Sequence, residues 1–393
     1  MSPVQLSRSP DLQQLRDEGY EVRATDLGHL VVDNVPYVNS QRQVVRAKIV
    51  SKLAMAGDVT ANPVTDHVVF WTGESPCDAN GTALPNMVNP GQSPLEPDLV
   101  ATCSFSCKPA TPYANYQAKM TTYVAMVSGP AQEIDPEVTA QTYRVVEDND
   151  SDSPFVYPDT ASSRARIAAL MDRFRGQRIA IVGLGGTGAH IFDHVAKTRV
   201  KEIHLFDGDD FLSHNAFRSP GAASLEALNV KPKKVDRLKA MYSVMKHGIV
   251  AHPYAISKDN VEELRSFDFV FLSMEGGVIK RCIVDKLTEW GMSFIDVGMG
   301  LKNGGQSLMG VLRVTTSTPA KRAHVDSCID FSEPGPDDIY DENIQVSDLN
   351  CLNAVLAVIK WKKLTGVYAD LEHEHFSTYT LDGNTITNED LPS

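Results

Sequence analysis

The stretch IAIVGLGGTGAHIFDH, from Ile179 to His194, joins an apolar run to a glycine-rich turn and then to a helical pattern. Gly183, Gly185 and Gly188 match the spacing G-x-G-x-x-G, and Gly186 adds a further small residue. Glycines let the backbone turn tightly and approach phosphate oxygens, and the free N–H groups at a helix start favour an anion. The stretch therefore predicts a nucleotide phosphate above a strand–turn–helix unit. That phosphate belongs either to a redox dinucleotide or to ATP.

Strand-like and helix-like segments alternate around this unit. Apolar strands are predicted at RIAIVG, EIHLFD, IVAHPYAI, FDFVFLS and SFIDVG, and helical patterns separate them. This order predicts an α/β domain with a mostly parallel sheet covered on both faces. We also predict a helix from about Ser162, an irregular stretch from about Ser317 to Ser347, and a C-terminal hairpin at STYTLDGNTIT.

An acidic segment rich in Ser and Pro, VEDNDSDSPFVYPDTASS, divides the 393-residue chain. It lacks both the helical and the strand period, as a linker does. We predict a smaller mixed α+β domain at residues 1–147, an acidic linker at 148–161 and the α/β domain at 162–393. In the first domain, the apolar run from Tyr116 to Gly129 is compatible with a strand or a helix.

Composition excludes several classes of function. The net charge of −13 argues against a broad grip on nucleic acid or on an anionic membrane. No signal-peptide pattern and no run of about 18 apolar residues occurs, so we expect no membrane association. The six cysteines include no Cys-x-x-Cys pair, which favours a reducing cytoplasm over a disulfide framework.

The residues after the second strand distinguish ATP from NAD. Asp207, nineteen residues after Gly188, suits the ribose hydroxyls of either nucleotide. The chain then supplies further polar residues at Asp209, Asn215, Arg218 and Lys231–Lys234. Cations of this kind hold a triphosphate and stabilise its cleavage, whereas a redox dinucleotide has no bond that needs them.

The ordered motifs G-x-G-G-x-G, D-x-D, N-x-x-R and P-K resemble the ThiF/MoeB family, to which ubiquitin-activating enzymes belong. The resemblance extends from about Arg164 to Asn388. It implies a Rossmann-like adenylation domain in which Mg-ATP activates the C-terminal glycine carboxylate of a ubiquitin-like protein. It also implies a homodimer.

The resemblance assigns roles to five residues. Asp207 would hold the ribose with Asp209 beside it, Asn215 and Arg218 would contact phosphates, and Lys233 would stabilise charge on the transferred phosphorus. Two simpler interpretations stay open. Asn215 is alternatively the cap of a turn, and the lysines that flank Lys233 are alternatively solvated helix charges.

The chain departs from the family pattern after the strand FDFVFLS, where Glu275 and Gly276 replace an Asp-Asn pair. A carboxylate survives for Mg²⁺, with a solvent-facing glutamate as the alternative. The family also uses an arginine from a helix before the first strand. Arg164 and Arg166 are both candidates, and the sequence does not choose between them.

Many relatives transfer the acyl group to a cysteine in a crossover segment. Cys328 lies in such a stretch, with Lys321, Arg322 and His324 near it in sequence. Neighbouring cations lower the pKa of a thiol toward the reactive thiolate. The alternatives are an ordinary loop thiol at Cys328, a conjugation cysteine at Cys77, and direct transfer from the adenylate.

Our leading hypothesis is a bacterial activating enzyme for a ubiquitin-like protein, with an N-terminal domain that recruits that protein or a conjugating enzyme. A second hypothesis is a sulfur-carrier-protein adenylyltransferase of cofactor biosynthesis. The third is an NAD-dependent oxidoreductase, and the fourth is a catalytically inactive scaffold.

Overall fold

The computed structural model describes residues 9–25, 27–57, 59–84, 88–144, 153–165, 167–332 and 344–388. Contacts divide the chain into two compact units, Met1–Ala168 and Ala169–Ser393. Among the described residues, no helix combines the length and the apolar character needed to cross a bilayer. The domain bounds drawn from the sequence stay a prediction.

The N-terminal unit is built on an antiparallel six-stranded sheet in the order β1-β2-β3-β6-β8-β7. Its strands are β1 (Glu21–Ala24), β2 (His29–Val38), β3 (Val44–Lys52), β6 (Val68–Trp71), β7 (Val88–Glu96) and β8 (Leu99–Ser106), and a separate pair is formed by β4 (Met55–Ala56) and β5 (Val59–Thr60). Its helices are α1 (Pro10–Asp17), α2 (Tyr116–Ile134) and α3 (Thr160–Arg164).

The apolar run that the sequence left open between strand and helix is the helix α2. The side chain of Asn115 caps it by accepting a hydrogen bond from the Ala118 N–H at 2.9 Å. Tyr116, Met120 and Tyr123 recur at helical spacing and are buried in the core of this unit. The N-terminal unit is therefore α+β, as predicted.

The C-terminal unit is built on an eight-stranded sheet in the order β11-β10-β9-β12-β13-β14-β15-β16. Its strands are β9 (Arg178–Val182), β10 (Glu202–Phe206), β11 (Ile249–His252), β12 (Phe269–Leu272), β13 (Phe294–Asn303), β14 (Leu308–Ser317), β15 (Phe376–Thr380) and β16 (Thr385–Asn388). The first five in spatial order pair in parallel and the remaining three are antiparallel. The predicted mostly parallel α/β sheet is confirmed, and so is the C-terminal hairpin.

Helices cover both faces of this sheet. They are α4 (Ala168–Met171), α5 (Gly186–Ala196), α6 (Ser213–Ala216), α7 (Leu225–Val230), α8 (Lys234–Tyr242), α9 (Val278–Glu289), α10 (Val325–Cys328) and α11 (Ser347–Leu364), with 3-10 turns at Asp172–Phe174 and Val261–Ser266. One apolar cluster packs α5, α8 and α11 against β9 and β10. A second packs α9 against β12 on the opposite face. The ends of β9, β10 and β12 thus meet at one edge of the sheet.

Three predicted elements differ from the structure. The helix expected from about Ser162 is broken into α3, α4 and a 3-10 turn, because Phe174 is buried and Met171 packs against the core while Ile167 and Leu170 stay more than a third exposed. The helix expected at KDNVEELRSF is a 3-10 turn. The strand β14 was also missed; it ends at Ser317, where the stretch predicted to be irregular begins.

Candidate nucleotide site and adjoining cavity

The glycine loop joins β9 to α5, and Gly185 is the N-cap of that helix. Gly183 has φ of 86°, in the left-handed region that favours glycine. A Cβ at Gly188 would lie 1.9 Å from the Gly183 carbonyl oxygen, and one at Gly183 would lie 2.3 Å from the Ser273 carbonyl oxygen. A Cβ at Gly185 would meet nothing within 4 Å. The loop is therefore tight beneath and open above the helix N-terminus, as a phosphate cradle requires.

Gly186 makes room for a side chain of helix α11. A Cβ there would lie 2.2 Å from Nδ2 of Asn350, which projects from α11. The Thr187 hydroxyl donates to Oδ1 of Asn350 at 2.9 Å, while Nδ2 is buried and has no hydrogen-bond partner among the described residues. Sequence reasoning missed Asn350, because only the packing of α11 against the loop brings this residue to Gly186 and Thr187.

Asp207 ties the end of β10 to the glycine loop. Its Oδ2 accepts a hydrogen bond from the Leu184 N–H at 2.7 Å, and its Oδ1 accepts one from the Asp209 N–H at 2.9 Å. The Lys234 Nζ lies 2.6 Å from Asp209 Oδ2 and 3.5 Å from Asp207 Oδ2. Lys234 is only 7% exposed, so its interpretation as a solvated helix charge is wrong.

Lys233 lies on the same side of the loop but is more exposed. Its Nζ donates to the Gly208 carbonyl at 2.8 Å and pairs with Asp210 Oδ1 at 2.8 Å. The hydrogen bond to Asp210 raises the pKa of Lys233. Helix α8 begins at Lys234, and Pro232 lies just before it rather than in its first turn. Two lysines, not one, therefore face the carboxylates that follow β10.

Asn215 and Arg218 lie on the segment around α6. Asn215 is buried, and its Oδ1 accepts the Leu212 N–H at 2.9 Å, so it does cap this turn. The Nε of Arg218 is buried without a hydrogen-bond partner among the described residues. Burial lowers the pKa of Arg218, and the charge of Glu275 acts in the opposite direction. Arg218 and Glu275 are thus brought into electrostatic contact from distant parts of the chain.

A cavity of about 420 Å³ adjoins the loop. It begins at Thr187 and the end of β12, and it extends over β13 and β14 as far as β15. Its walls are formed by Thr187, Ser273, Met274, Glu275, Gly276, Lys280, Val297, Gly298, Met299, Gly300, Val311, Arg313, Asp330, Gln345, Asn353 and Thr378. Because Glu275 lies in this wall, the cavity is continuous with the predicted catalytic region.

A buried ion cluster forms one wall, and sequence reasoning did not find it. The Lys280 Nζ lies 2.6 Å from Asp296 Oδ1 and donates to the Met274 carbonyl at 3.3 Å, and an Arg313 nitrogen lies 3.5 Å from Asp296 Oδ2. Asp296 has no exposed surface, and this burial raises its pKa while the two cations act in the opposite direction. No sequence motif predicts the cluster, because Lys280, Asp296 and Arg313 are separated by 16 and 17 residues along the chain.

The predicted nucleophile Cys328 ends the short helix α10 and is 7% exposed. The neighbours expected to activate it bind elsewhere. Arg322 donates to the Met292 carbonyl at 2.8 Å, and His324 Nε2 lies 2.9 Å from the Thr316 carbonyl oxygen. Cys77 is 2% exposed, and burial raises the pKa of its thiol. The role of Cys328 stays a prediction.

Of the two candidate arginines, Arg164 donates to the Asp17 carbonyl at 2.9 Å within the N-terminal unit. Arg166 lies outside the described residues. Among the residues that the structure describes, no cluster of three or more His, Cys, Asp or Glu side chains is arranged to hold a metal ion.

Comparison with known families identifies the region that contains the glycine loop. Residues 161–346 match the ThiF family. The chain carries a ThiF family domain. Residues 10–160, ahead of the ThiF domain, match a domain of unknown function (DUF6791). No curated protein matches the chain.

Several solved structures resemble the chain distantly. E. coli MccB with MccA-N7isoASN is 14% identical, with a TM-score of 0.48 over 59% of this chain and 69% of that one. E. coli MccB with ATP is 16% identical, with a TM-score of 0.46 over 57% and 66% of the two chains. PaaA is 16% identical, with a TM-score of 0.45 over 57% and 76%.

Proposed function

We propose that the protein uses Mg-ATP to adenylate the C-terminal glycine carboxylate of a ubiquitin-like protein. A carboxylate oxygen attacks the α-phosphorus of ATP, pyrophosphate leaves, and an acyl-adenylate forms. The acyl group then passes to a thiol or directly to a conjugating partner. In the thiol route, the sulfur attacks the acyl carbon, a thioester forms and AMP leaves.

The observation that carries this proposal is the convergence of charged groups around the open space at Gly185. Asp207 binds the loop through Leu184, and Lys234 pairs with Asp207 and Asp209. On the β12 side, the Ser273 carbonyl abuts Gly183, and Glu275 follows two residues later. A dinucleotide site needs Asp207 and the glycines, but it gives Lys233, Lys234 and Arg218 no group of the ligand to stabilise.

The individual roles follow from this arrangement. The N–H groups at the start of α5 would bind a phosphate, and Asp207 with Asp209 would face the ribose. Arg218 has a buried donor that lacks an acceptor within the described part of the chain, as a phosphate ligand would. The lysine that stabilises charge on the α-phosphorus is Lys233, with Lys234 as the alternative because it is closer to Asp207.

Glu275 would hold Mg²⁺ together with the phosphates. Magnesium is usually bound by one or two carboxylates and the substrate phosphates, so a single protein carboxylate fits this role. The ion would supply charge neutralisation between the phosphates. Arg218, whose charge interacts with Glu275, would orient the same group.

The cavity would hold the terminal residues of the acyl substrate. It extends from Glu275 over β13 and β14 as far as β15, which would place those residues beside the phosphates. The N-terminal unit would recruit the ubiquitin-like protein or a conjugating enzyme, and the ThiF domain would act as a homodimer in the cytoplasm of a bacterium. A sulfur-carrier protein is the second candidate substrate, since it presents the same terminal carboxylate.

Binding and exchange measurements test the proposal. Calorimetry should detect ATP and not NAD, and tight NAD binding without ATP binding would instead favour the oxidoreductase. ATP–pyrophosphate exchange should require a small protein encoded beside this chain and ending in glycine. The same protein without its last residue is the matched control. ATP binding with no exchange in its presence would identify a scaffold.

A further inference from the structure

Arg313 lies in the cavity wall, outside the predicted nucleotide site. It belongs to β14 and pairs in register with Gly298 of β13. A Cβ at Gly298 would lie 2.6 Å from a terminal nitrogen of Arg313 and 3.1 Å from its Nε. The guanidinium therefore lies across the backbone of Gly298, in space that any other residue would fill. Its side chain keeps 24% of its surface exposed.

The hydrogen bonding of this guanidinium is incomplete. One terminal nitrogen reaches Asp296 Oδ2 at 3.5 Å. The Nε is buried and has no hydrogen-bond partner among the described residues. Because Arg313 lines the cavity and keeps part of its side chain exposed, a ligand acceptor there would add a charge-assisted hydrogen bond to a guanidinium that has only one long ion pair.

The charges around the cavity balance. Asp296 contacts Lys280 and Arg313. Hydrogen bonds from Ser332 lower the pKa of the exposed Asp330, and the charges of Arg313 and Lys280 act in the same direction. Glu275 is balanced by Arg218. An added carboxylate or ammonium group would therefore enter the cavity without a counter-charge, whereas an uncharged acceptor needs none.

We propose that the guanidinium of Arg313 binds the substrate by donating a hydrogen bond from a terminal nitrogen to a main-chain carbonyl oxygen of the C-terminal peptide, and that this cavity accepts uncharged residues there. The inference rests on the proposed function, because it takes the cavity to be the channel for the substrate end. It adds a substrate-binding residue and a preference that the sequence motifs do not contain.

The probe is N-acetyl-Gly-Gly-Gly, titrated into the full-length protein with a non-hydrolysable ATP analogue and followed by saturation-transfer NMR. We expect Arg313→Ala to weaken peptide binding by about tenfold while the affinity for the nucleotide is unchanged. Arg313→Lys should restore little, since its ammonium group ends short of the terminal nitrogens of arginine and lacks their planar arrangement. Lys302→Ala, which removes an exposed cation from the same β13–β14 hairpin, is the matched control.

A second variant keeps the charge and moves the group. Gly298→Ala should displace the guanidinium and weaken peptide binding as Arg313→Ala does. N-acetyl-Gly-Asp-Gly and N-acetyl-Gly-Lys-Gly should both bind more weakly than the triglycine. Equal triglycine binding by wild type and both variants, or no binding to wild type, would overturn the inference, and tighter binding of a charged peptide would overturn its preference for uncharged residues.

These outcomes separate the inference from the proposed function. Peptide binding requires no chemistry, so binding that depends on Arg313 in a protein that never exchanges pyrophosphate would refute adenylation and leave the peptide site standing. Exchange that persists unchanged in Arg313→Ala would refute the site and leave adenylation standing.

Discussion

The Asp207 carboxylate accepts a hydrogen bond from the Leu184 N–H at 2.7 Å, which joins the end of β10 to the glycine loop. One carboxylate thus orders the loop, and under the proposed function it would also accept the ribose hydroxyls. Asp207→Ala should weaken ATP binding by about tenfold or more, because a charge-assisted hydrogen bond is lost along with the ribose acceptor. Calorimetric titration with ATP measures this. Asp236→Ala, on the exposed side of α8, is the control, and equal affinities in wild type and Asp207→Ala would refute the assignment.

The two adjacent lysines provide a matched pair of variants. Lys233→Ala should slow pyrophosphate exchange with little change in stability, because this side chain is 40% exposed. Lys234→Ala should lower the free energy of unfolding by about 1–3 kcal/mol, because it leaves the buried Asp207 without its cation. Urea unfolding and exchange rates distinguish the two. Normal exchange in Lys233→Ala with slow exchange in a stable Lys234→Ala would transfer the catalytic role to Lys234.

The glycines of the loop differ in what they prevent. Gly188→Ala should destabilise the fold by about 1–3 kcal/mol, because its Cβ would collide with the Gly183 carbonyl. Gly185→Ala should leave the stability unchanged and weaken ATP binding, because its methyl group would enter the open space above α5. Thermal unfolding with and without ATP measures both effects. Normal ATP affinity in Gly185→Ala would place the phosphate elsewhere.

Stability should fall as the pH drops below about 6.5, the ordinary pKa of histidine. Burial lowers the pKa of five histidines, which are His190, His194, His204, His252 and His375. Since the unfolded chain binds these protons more readily than the folded one, their contribution is retained above that pH and is lost as the pH decreases through the folded pKa values. Urea unfolding between pH 7.5 and 5 tests the sign.

A variant of His204 tests how much of the pH dependence of stability comes from one histidine pair. Nδ1 of His204 lies 2.9 Å from Nε2 of His252, so double protonation of this pair is disfavoured. His204→Gln should therefore reduce the pH dependence of the unfolding free energy. A stability that rises on acidification, or an unchanged slope in the variant, would contradict the expectation.

Cys328 tests whether a covalent intermediate forms. If it is the nucleophile, Cys328→Ala should abolish a reductant-sensitive adduct with the ubiquitin-like protein while pyrophosphate exchange continues. Non-reducing gels and intact-mass measurements detect the adduct. Cys282→Ala is the control on α9. An adduct that persists in Cys328→Ala would identify another cysteine, and the absence of an adduct in wild type would indicate direct transfer from the adenylate.

The sequence by itself determined the parallel core of the sheet and the glycine loop. Both depend on local patterns, namely apolar strand runs such as RIAIVG and the spacing of Gly183, Gly185 and Gly188, which a single stretch of chain contains. It also placed Asp207 next to the loop, because the ends of adjacent parallel strands meet at one edge. The helix at Tyr116 was not distinguished from a strand, since a short apolar run is compatible with both. The antiparallel strand β14 was not identified.

Only the tertiary structure decided which polar side chains are buried together. Lys233 and Lys234 cannot be told apart in the sequence. In the structure, the start of α8 directs Lys234 toward Asp207 and leaves Lys233 at the surface. Arg313 and Asp296 meet across β13 and β14, over a glycine that leaves room for the guanidinium. Such contacts depend on strand register and helix packing between distant segments. They therefore cannot be predicted from the local pattern of the sequence.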